Sequence, residues 1–298
     1  MSDQAEKLRN DVMIRDLSEP LRVRNKSKGN CKVLTVSSGK GGVGKTSLTL
    51  NLGLALTRMG CRVIIIDADF GLANIDIMIN TLPRYNLGDL FAGRKNIREI
   101  MVTGPQNIQI IPGGSGLFDL ANLDRARRQI LLDQLSDLES DGDYILIDTA
   151  AGISRNVTSL IGAADDFILV TTPEPTALTD AYGMLKVIAE QSLKDSCYVV
   201  VNLTRDIKEG NKSYHSLKKV SDQYLPGVKL HYLGDVRFDP VVSTAVHNFM
   251  PFILSRPRSS ASLAVNRIAW RIAGRQSSEK DHDEQINSNF ISRLLERS

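Results

Sequence analysis

The stretch Ser37-Ser38-Gly39-Lys40-Gly41-Gly42-Val43-Gly44-Lys45-Thr46 holds the residue types and spacing most directly suited to chemistry. Gly39 through Thr46 fits the pattern of a phosphate-binding loop, a glycine at each end and Lys-Thr behind the second. Glycines let backbone N–H groups close around an anion. A helix that starts behind the loop aims its N-terminal dipole and free N–H groups at the same anion. In such a site Lys45 reaches the β- and γ-phosphates and the Thr46 hydroxyl binds Mg²⁺. Gly39, Lys40, Gly41, Gly42, Val43, Gly44, Lys45, Thr46 and Ser47 are therefore the expected nucleotide contacts, with ATP and Mg²⁺ as the cofactors. The bland alternative is a glycine-rich turn, and the flanking segments argue against it.

Those segments are the elements that must position the loop. Val33-Leu34-Thr35-Val36 reads as a buried strand in front of it. Leu48, Leu52, Ala55 and Leu56 recur at helical spacing behind it, with Gly60 as the stop. A second apolar run, Arg62 to Ile66, leads into Asp67-Ala68-Asp69, and a third, Tyr144-Ile145-Leu146-Ile147, ends in Asp148. Carboxylates at the C-terminal ends of such strands stand where open α/β sheets bind ligands. Two carboxylates two residues apart, as Asp67 and Asp69 are, share a face if the chain stays extended. A magnesium–nucleotide site needs such acceptors, for the metal's waters and for the attacking water. The strand ending in Asp148 is weak on its own, because many strands end in Asp. Further strands are expected at Ile108 to Ile111, Phe167 to Thr171, Tyr198 to Asn202 and Leu230 to Leu233, and helices at Leu123 to Leu138 and Pro257 to Ala273.

Composition narrows the class. The 298 residues suit one large α/β domain or two small ones, and 42% apolar residues suffice for a full core. A net charge of +3 is too small to argue for nucleic acid. Cys31, Cys61 and Cys197 form no C-x-x-C pair, which argues against a disulfide framework and suits a reducing cytosol. No apolar run is long enough to span a bilayer, and the polar N-terminus has no secretory apolar core.

Lys40-Gly41-Gly42-Val43-Gly44-Lys45-Thr46 resembles the deviant Walker A loop of the MinD/ParA family of ATPases. The resemblance implies that Lys40 reaches across a dimer interface to the partner's nucleotide. Asp67 to Asp76 is similar to that family's Asp-x-Asp-x-Gly-Leu-x-Asn-x-Asp segment, which includes Asn74. By that likeness Asp69 is the switch I residue that positions or activates water, and Asp67 supports the magnesium shell. Asp148 to Gly152 matches the family's switch II, with Asp148 accepting from a magnesium-bound water and Gly152 near the γ-phosphate. Thr171-Thr172-Pro173-Glu174 resembles the family's Thr-x-Pro-Glu strand end, after which a long helix forms part of the dimer face. An Asn near the end of the Tyr198 strand reads adenine in this family, which gives Asn202 that role; an Asn capping a turn is the other reading. Arg237 falls in the segment that flanks the base, but the usual Pro-Glu-Asp is missing there.

Both ends of the chain differ from its middle. Asp3-Gln4-Ala5-Glu6-Lys7-Leu8-Arg9 fits a short helix, separated from the strands by Pro20 and a basic linker. It resembles the N-terminus of the FlhG (YlxH/FleN) branch, whose members control flagellar number and placement. The resemblance implies that Asp3, Gln4, Ala5, Leu8 and Arg9 engage the signal-recognition-type GTPase FlhF. Gln4 either orients an attacking water or acts at a distance by ordering the GTPase's switch loops. At the other end Phe290, Ile291, Leu294 and Leu295 fall on one side of a helix, opposite Arg293 and Glu296, after a polar linker. That suits an anionic membrane surface, as in the comparable MinD terminus; a terminal helix docked on the domain is the other reading.

The expected architecture is a single-domain α/β phosphate-loop NTPase, with a mainly parallel sheet flanked by helices on both faces. Residues 1–28 form the partner-binding tail and linker, 29–275 the ATPase domain, and 276–298 a linker and membrane helix. The family likeness implies an ATP-dependent homodimer at the inner face of the cell membrane, working with FlhF and flagellar basal-body components and without nucleic acid. The alternatives are a MinD-type division-site ATPase and a ParA-type DNA-partitioning ATPase. An iron–sulfur carrier needs a cysteine on a switch loop, and none lies there.

Overall fold

The computed structural model describes residues 31–69, 75–114, 134, 137–279 and 293–294. Eight strands form one sheet: β1 (Lys32–Ser37), β2 (Val63–Ala68), β3 (Val102–Thr103), β4 (Gln109–Ile111), β5 (Tyr144–Thr149), β6 (Asp166–Thr171), β7 (Ser196–Thr204) and β8 (Lys229–Arg237). Their order is β3-β4-β2-β5-β1-β6-β7-β8. Every pair is parallel except β3 with β4 at one edge. Strands buried on both faces need continuous apolar runs, and β1, β2, β5 and β6 supply them.

Among the helices are α1 (Lys45–Arg58), α2 (Arg155–Ala163), α3 (Pro175–Glu190), α4 (Ile207–Tyr224), α5 (Pro240–His247), α6 (Phe252–Ser255) and α7 (Ser260–Glu279). Helix α1 is buried nearly all round from Leu48 to Leu56, with Leu50, Leu52, Leu54 and Leu56 each fully buried. It is packed between the sheet and α7, in one core with Ile65, Leu146, Val265 and Ile268. Two further clusters fill the other face, one around Ile64, Ile145 and Leu160, the other around Phe167, Leu185 and Val199. The single α/β domain expected from the sequence is the fold observed.

Three boundaries differ from the sequence reading. β8 does not stop at Leu233 but continues through Arg237, because a bulge at Leu233, beside Gly234 (φ 145°), lets the strand stay paired with β7. The last domain helix starts later and runs further, to Glu279, so residues 276–279 are helix and not linker. The antiparallel edge strand β3 was not foreseen, being two residues long. The helix expected over 123–138 falls largely outside the described residues, as do the N-terminal segment with Asp3, Gln4, Ala5, Leu8 and Arg9, and Asn74, Phe290, Ile291 and Leu295.

Candidate nucleotide site

The phosphate loop joins β1 to α1 at the C-terminal edge of the central strands. Gly44 precedes α1 at φ 84°, ψ 23°, a left-handed conformation that a side chain would strain. A Cβ on Gly44 would also lie 2.4 Å from the Asn202 amide nitrogen. Asn202, at the end of β7, donates from Nδ2 to the Val43 carbonyl at 2.8 Å. The residue assigned to adenine thus braces the loop from below, a role its position in the sequence did not reveal. Arg237, at the end of β8, is exposed.

Behind the loop the charges converge on Asp148. Lys45 Nζ lies 3.0 Å from Asp148 Oδ1, and both side chains are buried, 7% and 0% exposed. The Thr46 hydroxyl donates to Asp148 Oδ2 at 2.7 Å. Thr49, one turn further along α1, has its hydroxyl 3.0 Å from Asp148 Oδ1 and 3.0 Å from the Lys45 carbonyl. The sequence reading missed Thr49; its signal was a hydroxyl three and four residues behind Thr46 and Lys45, hence on the same helix face.

Asp67 stands directly opposite Asp148 in the parallel register of β2 and β5. It is 1% exposed, and its two oxygens accept from two backbone N–H groups, Asp69 at 3.1 Å and Ile75 at 3.3 Å. Asp67 thus ties the residue after β2 to the start of the short helix Ile75–Met78. Gly113 makes room for this, since a Cβ there would lie 2.8 Å from the Asp67 carbonyl oxygen. Asp69 follows β2 directly, half-buried at the same edge. Asp76 accepts from the Ile77 N–H at 2.8 Å, in the first turn of the short helix Ile75–Met78. On the other side Gly152 (φ 90°) donates its N–H to the Ser38 carbonyl at 2.8 Å, tying the stretch after β5 to the phosphate loop.

Lys40 points elsewhere. Its ammonium donates to Glu174 Oε1 at 2.9 Å and to Thr176 Oγ1 at 2.8 Å, at the start of α3. The bond from Lys40, and a second that the Thr176 hydroxyl donates to Glu174 Oε1 at 2.9 Å, hold the Glu174 carboxyl below its ordinary range, the one from Lys40 contributing most. Gly39 packs so tightly there that a Cβ would lie 2.3 Å from the Asp180 carbonyl oxygen.

The residues fit ATP and Mg²⁺. The Ser47 hydroxyl is buried without a hydrogen-bond partner beside the loop, as expected of a donor reserved for a ligand. Thr46, Asp67 and Asp148 offer hard oxygen atoms only, the donor chemistry magnesium prefers. Burial pushes the thiols of Cys31 and Cys197 well above their ordinary range, consistent with inert cysteines.

The C-terminal segment is docked at its described residues. Leu294 is 7% exposed and shares a core with Ile64, Ile145 and Leu160. Arg293 pairs with Asp165 at 2.6 Å. No helix among the described residues is long and apolar enough to cross a membrane.

Residues 31–199 match the family model described as "AAA domain". The chain is 36% identical to the antiactivator FleN of Pseudomonas aeruginosa over 81% of its length and 86% of the relative's. It is 32% identical to the flagellum site-determining protein YlxH of Helicobacter pylori, over 90% of this chain and 91% of that one. Its fold matches the septum site-determining protein MinD from Pyrococcus horikoshii, complexed with Mg-ADP, with a TM-score of 0.65 and 24% identity, covering 83% and 98% of the two chains. The phosphate loop with its second lysine, the paired Asp67 and Asp148, and these relatives agree: the chain belongs to the MinD/ParA family of ATPases, with FleN and YlxH among its relatives.

Proposed function

We propose that this protein is an FlhG-type regulator of flagellar number and placement, cycling between a monomer and an ATP-bound, membrane-associated dimer. The observation that carries this reading is likeness to FleN and YlxH over more than four-fifths of the chain. A MinD-type division-site role and a ParA-type partitioning role share the core, but neither accounts for the N-terminal Asp-Gln-Ala-x-x-Leu-Arg segment.

When bound, ATP and Mg²⁺ supply the transferable γ-phosphoryl group and the charge that draws electrons toward the leaving oxygen. Lys45 gives up its bond to Asp148 and turns its ammonium to the β- and γ-phosphates. The Thr46 hydroxyl, with Asp148 and Asp67 behind it, would hold Mg²⁺, which would supply positive charge to the phosphates, while Thr49 keeps Asp148 in place. Asp69 orients the attacking water from a backbone that Asp67 anchors. Lys40, released from Glu174 and Thr176, reaches into the partner subunit's site and offsets developing charge, somewhat as an arginine finger does. Asn202 and Arg237 lie at the strand ends where the base is expected.

Dimerisation places two C-terminal segments on one particle. A single short amphipathic segment binds a membrane weakly, and a pair gains from effective concentration. For Phe290, Ile291, Leu294 and Leu295 to act on an anionic membrane, Leu294 must first leave the core, so membrane binding and undocking are one equilibrium.

The N-terminal segment supplies the link to FlhF. An isolated helix this short is unstable in water and needs an external groove. A peptide of residues 1–20 is expected to raise FlhF GTP hydrolysis, and Gln4→Ala in that peptide to lower the stimulation. If full-length protein stimulates and the peptide does not, the activating surface lies in the ATPase domain and this part of the reading is wrong.

A further inference from the structure

One layer of the molecule is almost free of negative charge. From Pro240 to Ser278 the sequence holds five arginines and no aspartate, glutamate or lysine. Helix α1, against which this stretch packs, has no carboxylate either and ends in exposed Arg58 and Met59. The carboxylate in the turn before α5, Asp239, is consumed by hydrogen bonds to Val241, Ser260 and Ala261.

The outer face of α7 concentrates this charge beside apolar surface. Its large exposed side chains among the described residues recur at helical spacing: Leu263, Arg267, Trp270 and Arg271. Leu263 is 47% exposed and Trp270, the chain's single tryptophan, is 71% exposed. Seven residues separate them, about 10 Å along the helix, with Arg267 between. Arg271 is braced by a hydrogen bond to the Leu233 carbonyl. Among the described residues neither Arg256, Arg258, Arg267 nor Arg271 makes an ion pair.

We infer that this face of α7 docks a partner protein that presents an acidic, amphipathic helix. Exposed tryptophan and arginine without lysine is the composition of a protein-interface core. Guanidinium groups fixed beside an indole favour planar carboxylates, and Leu263 and Trp270 require apolar side chains between those carboxylates. A second copy of this face is disfavoured by like charge. A bilayer-bound helix needs a broader apolar face than two large residues provide. Duplex DNA would satisfy the arginines and leave Leu263 without a counterpart.

The single tryptophan makes the test direct. Full-length protein is titrated with a synthetic helical peptide of about 20 residues, leucines three and four apart on one face and glutamates beside them. A peptide with lysine for glutamate, phosphatidylglycerol vesicles and duplex DNA are titrated in parallel. The expected result is a saturable blue shift of Trp270 emission with the acidic peptide alone. Arg267→Glu is expected to weaken that binding at least about tenfold, and Leu263→Ser to weaken it likewise, with ATPase activity and the thermal transition unchanged. No shift with the acidic peptide, an equal shift with the lysine peptide, or a shift with vesicles or DNA in its place overturns the inference.

Discussion

Lys40 and Glu174 hold one another at the edge of the nucleotide site, Nζ to Oε1 at 2.9 Å, within a single chain. A lysine that serves a partner subunit must first leave this carboxylate. Lys40→Ala is expected to retain nucleotide binding and to lose both ATP-dependent dimerisation and hydrolysis. Glu174→Gln removes the charge that retains Lys40 and is expected to move dimerisation to a few-fold lower ATP concentration. The sign of the pH dependence follows from a lowered carboxyl pKa: the contact is present above the ordinary carboxylate range and is lost as pH falls through the lowered value. Light scattering with ATP reads both variants, and a Lys40→Ala protein that dimerises normally excludes the role in trans.

Lys45→Ala leaves Asp148 fully buried, with hydroxyl donors and no cation. Breaking a buried ion pair from one side costs about 3 kcal/mol, and the remaining donors from Thr46 and Thr49 keep the loss near that figure. Denaturant unfolding of the nucleotide-free protein measures it. Calorimetry is expected to show ATP binding abolished, and adding Asp148→Asn is expected to restore stability without restoring binding.

Asp165 secures the C-terminal segment through Arg293 and also accepts the Val33 N–H at 2.8 Å. Asp165→Asn keeps an acceptor for Val33 and removes the charge. Under the membrane reading, liposome sedimentation without ATP is expected to rise several-fold. Leu294→Glu removes the same apolar side chain from core and membrane alike, so its liposome binding is expected to fall in every nucleotide state. Equal sedimentation of wild type and both variants rejects a role for this segment at the membrane.

Asp239 joins two helix starts, accepting from Val241 N–H at 3.1 Å, Ser260 Oγ at 2.9 Å and Ala261 N–H at 3.2 Å. Burial works against its charge, but these donors outweigh burial and hold the carboxyl below its ordinary value. Its contribution is therefore complete above that ordinary value and is lost as pH falls through the lowered one. Asp239→Ala is expected to cost about 2 kcal/mol in denaturant unfolding, with nucleotide affinity unchanged. An unchanged unfolding midpoint contradicts this.

Much of the fold was legible because parallel strands buried on both faces write themselves as apolar runs, as β2 and β5 do. The phosphate loop was legible because Gly44 and Lys45 have few substitutes there. Contacts closed by tertiary packing were not. The amide of Asn202 reaches Val43 across 159 positions of sequence, and that distance in the chain hides it. The family likeness gave Asp67 a place in the magnesium shell, but that its oxygens also accept from the backbone of Asp69 and Ile75 is a task no spacing announces. The end of β8 was misread because Gly234 resembles a turn signal where the structure places it beside a bulge. Docked Leu294 and a membrane-seeking Leu294 carry the same amphipathic pattern.

The fit of Gly39 against the backbone of Asp180 has a mechanical consequence. With no side chain between them, the phosphate loop and helix α3 meet backbone to backbone, so any side chain at position 39 has to push the loop and the helix apart.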